Sequence, residues 1–90
     1  MPVQITGLTL NPDPHPMGHR GGRILALFDC TIDGIGLFGC AYVQNHNGSF
    51  TVMPPKIWHQ KDMRRRVVIH DQALRHEIRD AAGEAYRALT

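Results

Sequence analysis

Arg64-Arg65-Arg66 sets three fixed positive charges side by side, and Lys56 and Lys61 widen the same basic stretch. Guanidinium forks match the oxygens of phosphate and stay charged at every physiological pH. Trp58 sits among these cations. An exposed indole between basic side chains is a surface on which an unpaired base stacks, so the segment reads as a loop that contacts phosphates and bases. Two other readings stay open on the same residues. One is a solvated loop with Trp58 folded back onto the core. The other is a basic surface that docks an acidic protein partner, with no catalysis. Between Pro54 and His70 these five cations face Asp62 alone, a local net charge of +4, whereas the rest of the chain carries five basic and seven acidic residues, a net −2.

A second set of cations lies further along. On a helical wheel of about 100° per residue, Arg75, Arg79 and Arg87 fall on one flank of an apolar stripe, with Gly83 beside them, and Glu77, Asp80 and Glu84 fall on the other. Sorted in this way, the basic flank continues the positive surface of the loop. The alternative is a solvated helix with ordinary intrahelical ion pairs.

Other chemistries find less to work with. His15 and His19 lie four apart with Asp13 nearby, but in a Pro/Gly-rich stretch where that spacing does not put them on one face. No Cys-x-x-Cys occurs. Cys30 and Cys40 flank a turn at mirror positions, which reads as two small buried hydrophobes near each other across a hairpin. Asp29 and Asp33 share a strand face and could act as a carboxylate pair, but they read first as exposed strand polars next to a turn. There is no Gly-rich phosphate loop and no nucleophile elbow. The expectation is a binding protein and not an enzyme, with no cofactor and no metal; a metal- or small-ligand-binding protein is the third reading.

The elements that must position these residues follow from hydrophobic periodicity. Val3 and Ile5 share one strand phase and Leu8 and Leu10 the other, with the switch at Gly7, where a bulge fits. The segment 11–23 is a Pro/Gly/His-rich loop. Ile24, Ala26, Phe28, Cys30 and Ile32 give one face of a strand to Asp33, and Leu25 and Leu27 fall on the other. Asp33-Gly34 is a tight-turn signal, Ile35 to Gln44 the returning strand, Asn45 to Gly48 a turn, and Ser49 to Met53 a fourth strand stopped by Pro54-Pro55. After the basic loop 54–66, Val67-Val68-Ile69 is a candidate fifth strand. Asp71 is a good N-cap for a helix over 71–89, whose stripe runs through Leu74, Ile78, Ala81, Ala85 and Leu89. Gly83 weakens that helix by about 1 kcal/mol relative to alanine. Strands first and a helix last predict an α+β fold, an antiparallel sheet of four to five strands with one C-terminal helix. Ninety residues make one domain, 1–90, with a thin core that oligomerisation would relieve. No leader or membrane-spanning run is present, so the expected location is cytoplasmic, with reduced thiols.

Gly48-Ser49-Phe50-Thr51-Val52-Met53-Pro54-Pro55-Lys56 is similar to a strand ending in Met-Pro-Ser-Lys, and Ala73-Leu74-Arg75-His76-Glu77-Ile78 through Ala85-Tyr86-Arg87-Ala88-Leu89 to a closing helix, of the SpoVG family, the stage V sporulation protein G or septation regulators of bacteria. The resemblance runs from about Ile24 to Leu89. It implies a small homodimer that binds DNA, and in some members RNA, as a regulator. Lys56 matches the lysine after the Met-Pro pair and Arg75 the helix arginine, while Arg64 to Arg66 match the family's loop loosely. Where the family tends to carry an Asn-Ser-Ser-Thr-like stretch before that arginine, this chain has His70-Asp71-Gln72-Ala73-Leu74, which removes hydroxyls able to bind phosphate. The expected contacts to DNA or RNA are thus Lys56, Trp58, Lys61, Arg64, Arg65, Arg66, Arg75 and Arg79, with no membrane partner.

Overall fold

A computed structural model describes residues 3–14, 16–17, 22–55 and 67–90. In chain order the elements are β1 (Val3–Leu10), β2 (Pro16–Met17), β3 (Gly22–Ile32), β4 (Ile35–Gln44), β5 (Phe50–Met53) and α1 (Gln72–Leu89). All strand pairings are antiparallel, in the order β1-β3-β4-β5, and β2 pairs with the first residues of β3. This is the expected α+β class, a sheet with one C-terminal helix. The β3–β4 connection is the two-residue turn Asp33-Gly34, with φ of 50° and 78°. Two successive positive φ values match the right-handed twist of the flanking strands, and an Asp-Gly pair adopts them readily. Between β4 and β5, Asn45 N donates to Ser49 O at 2.8 Å and Gly48 N to Asn45 O at 3.0 Å.

Three irregularities decide which side chains meet the helix. In β1 the register slips between Ile5 and Gly7. The extra residue brings Val3, Ile5 and Leu8 onto the same face, against one core, as the change of phase at Gly7 predicts. In β3 it slips between Ile24 and Ala26. Ile24 pairs with Val43 and Ala26 with Tyr42, so Leu25 joins Ala26 on the core side and Ile24 turns away. That corrects the strict alternation expected from Ile24 onward; both phases are apolar there, so either register buries hydrophobic surface. Opposite Asp29, β4 carries an extra residue at Phe38-Gly39. Gly39 has φ 83°, and its N–H donates to Asp29 Oδ1 at 2.9 Å. Asp29 therefore braces a bulge while Asp33 forms the turn.

Two expectations fail. Pro16-Met17 forms a two-residue bridge within a segment read as loop, because Gly22 and Arg23 leave the end of β3 long enough to pair with it. Val67-Val68-Ile69 is not a strand. Val68 is exposed and Ile69 packs on the core, so this segment serves the core through one side chain and not through a strand pairing.

The helix begins where Asp71 caps it: Asp71 Oδ1 accepts from Ala73 N at 2.9 Å and Leu74 N at 3.2 Å, satisfying donors a helix start leaves over. It contacts β1 and β5, the two outer strands, and β4 between them. Ile78 of the helix and Phe28, Cys30 and Cys40 of the sheet are the largest fully buried side chains among the described residues, and burying a side chain such as Phe28 or Ile78 contributes roughly 1.5–3 kcal/mol. The buried stripe is rotated from the expected one. Ala82 and Gly83 are buried beside Ile78, Tyr86 packs on the core, and Leu89 is exposed.

Gly83 explains the rotation. A Cβ there would lie 2.8 Å from the hydroxyl of Tyr42 and 3.4 Å from its Cζ. Tyr42 cannot easily retreat: it is buried, stacked on Phe50 with centroids 5.4 Å apart and packed against Tyr86 at 5.5 Å. The glycine is thus the seat of the tyrosine, and its helix penalty is offset by that contact. Gly83→Ala should lower stability by about 1 kcal/mol, overpacking of roughly 1–3 kcal/mol against about 1 kcal/mol of regained helix propensity. In a Tyr42→Phe background the same change should be neutral or stabilising, and chemical denaturation of the four-protein cycle reads the reversal.

Candidate nucleic-acid interface

β5 is the last strand of the sheet, and the first half of α1 lies beside it. Between them runs a groove lined by Phe50, Thr51, Gln72, Arg75, His76 and Arg79, with a volume of about 300 Å³. The helix supplies four of these residues at positions 72, 75, 76 and 79, the spacing that puts side chains on one face. The rotation imposed at Gly83 turns that face toward β5, leaving Arg75 and Arg79 half-buried at the margin of the packed surface. Arg75 Nη2 donates to the Val52 carbonyl at 3.2 Å. Arg79 forks onto the neighbouring Asp80, with Nε and Nη2 each 3.0 Å from Oδ1. Each guanidinium has five N–H donors, more than these bonds use. Among the described residues that line it, none is acidic.

Phe50 contributes an aromatic wall. Tyr42 lies parallel to it, at an interplanar angle of 0°, so one ring face is taken by the core and the ring is held by a buried partner. The groove therefore presents cations, an amide and a fixed aromatic ring, a set able to hold a phosphate beside a planar group.

Of the residues expected to contact nucleic acid, Arg75 and Arg79 come together in this groove. Lys56, Trp58, Lys61, Arg64, Arg65 and Arg66 lie outside the described residues, as do His15 and His19. Arg87 is on the same flank but at the other end of the helix, where its Nη1 would stand 3.2 Å from a Cβ at Gly83. The sorting of charge by sign is incomplete, because Arg79 reaches across to Asp80. Phe50, Thr51, Gln72 and His76 escaped the sequence reading. They become neighbours only because a strand through residue 53 and a helix from residue 72 form the two walls of this groove.

The remaining groups are structural. Cys30 and Cys40 are free and buried on the core side of adjacent strands, near enough for one thiol to hydrogen-bond the other. Burial raises the Cys30 thiol, and it pushes Cys40 up from 9.0 to about 12, so both stay protonated and unreactive at neutral pH. Tyr42 is raised as well, by burial first. Among the described residues there is no cluster of three or more His, Cys, Asp or Glu that could hold a metal ion, and no helix long and apolar enough to cross a membrane.

Compared with known protein families, curated proteins and solved structures, the chain matches none of them.

The two groove arginines make different demands on the fold. Arg75→Ala removes a charge-assisted bond to a strand carbonyl and should lower stability by about 1–2 kcal/mol. Arg79→Ala removes an exposed ion pair and should change stability by less than about 0.5 kcal/mol. Urea unfolding of each variant checks the contrast.

Proposed function

We propose that this chain is a non-catalytic, homodimeric nucleic-acid-binding regulator of the SpoVG type, working in the bacterial cytoplasm on DNA or RNA. The observation that carries the reading is the groove: Arg75 and Arg79, singled out by charge, share it with an exposed aromatic ring, and among the described residues that line it none is acidic. In this reading the groove cations and the basic segment Lys56 to Arg66, with Trp58, engage the phosphate backbone together. Such contacts position the protein and supply most of its affinity, whereas the choice of sequence comes from base contacts.

The reading has a quantitative test. If about five cations neutralise phosphates, the logarithm of duplex affinity falls against the logarithm of salt with a slope of about −4 to −5. Replacing Arg64, Arg65 and Arg66 by alanine should bring the slope down by about three. Mobility-shift titrations over a salt series measure both. No binding at low salt would sink the reading; an unchanged triple variant would remove the loop from the site. Binding to an acidic protein that survives nuclease treatment would favour the docking alternative.

Dimerisation has its own support. Leu27 alternates with the core residue Phe28 and is 49% exposed; Phe38, 71% exposed, lays its ring over Gly36, whose strand partner Thr31 alternates with the core residues Cys30 and Ile32. Both therefore stand on the face of the sheet away from the helix, where a second copy would take them out of water. Phe38→Ser should shift the mass measured by light scattering from dimer toward monomer.

A further inference from the structure

We infer that the groove between β5 and α1 holds one unpaired nucleotide of a single strand, its base on the open side of Phe50 and its phosphate at Arg75 and Arg79. This deepens the proposed function and rests on it. Three observations carry it.

The first is size. At about 300 Å³ the groove stands at the lower bound of ligand pockets, which run from about 300 to 1,000 Å³. It has room for one small planar group with an anionic neighbour. A double helix meeting the same groove could offer it only backbone.

The second is the ring. Phe50 is 40% exposed and parallel to buried Tyr42, which in turn packs on Tyr86. The three rings form a row that begins in the core and ends at the groove. A base added at Phe50 extends the row without reordering it, so little side-chain freedom is lost on binding. In a duplex both faces of every interior base are already stacked on neighbours, so a fixed aromatic wall favours a strand whose bases are unpaired.

The third is the chemistry around the ring. Arg75 and Arg79 stand one helical turn apart on the groove side, and Gln72 brings an amide that both donates and accepts. The cations suit the phosphate, and the amide suits the polar edge of a base. Arg75 is anchored by the Val52 carbonyl, so its charge is held over the strand that carries Thr51.

The experiment is fluorescence polarisation at one low salt concentration. It uses the full chain with labelled oligothymidylate of about 12 nucleotides, within the range of single-strand sites, and a blunt duplex of the same length. Single strand should bind the more tightly. Phe50→Leu keeps an apolar side chain on Tyr42 but removes the stacking surface; it should weaken single-strand binding about tenfold and duplex binding by much less, and Phe50→Trp should restore single-strand binding. Circular dichroism confirms that each variant is folded. If the duplex binds as tightly as the single strand, or if Phe50→Leu binds the single strand like the original chain, the unpaired-base assignment falls while nucleic-acid binding stands. If neither oligonucleotide binds, both readings fall.

Discussion

A tyrosine hydroxyl rests where a helix side chain would otherwise project, and the geometry of the candidate groove descends from that contact. With any residue larger than glycine at position 83, Tyr42 would meet a Cβ at 2.8 Å, and the helix would have to lift or roll. With glycine there, Ala82 and Gly83 settle onto the sheet, and the helix is locked in rotation about its own axis. That rotation carries Arg75 and Arg79 to the side of β5. The same tyrosine supports Phe50 from behind. One contact thus places both the cations and the ring.

The sheet meets a related constraint with bulges. A thin single-domain core needs every available hydrophobe on the covered face, yet strict alternation would send half of them outward. The slip after Ile5 returns Leu8 to the core, and the slip at Leu25 adds that leucine to it. The third, at Gly39, does the opposite: it turns Phe38 out to solvent, with Asp29 holding the freed N–H. Two bulges serve packing, and one produces an exposed aromatic side chain on the far face.

Much of this frame is legible from local chemistry. The change of phase in β1, the Asp-Gly turn, the proline stop after Met53 and the Asp71 cap each depend on one or two residues and their immediate neighbours. What escaped depends on partners distant in sequence. Ala81, Ala82 and Ala85 have the same side chain, so periodicity alone does not say which of them faces the sheet; Tyr42 decides it. Gly83 looks like a weakness until the residue occupying its space is known. The same holds for the site. Arg75 and Arg79 stand out by charge, but Phe50, Thr51, Gln72 and His76 become neighbours only because the strand order leaves β5 at the end of the sheet, beside the first half of the helix.

The hydrogen bond from Arg75 to the Val52 carbonyl has a bearing on assembly as well as on the groove. The last strand of a sheet offers unpaired backbone groups that recruit strands from other molecules. Here that strand is four residues long and one of its carbonyls is occupied by the molecule's own helix. At the opposite side, β1 is bent by its bulge. Neither border makes a straight template, so growth into extended ribbons is disfavoured at both ends. A chain with a thin core and exposed apolar side chains in this way resists the open-ended stacking that leads to fibres.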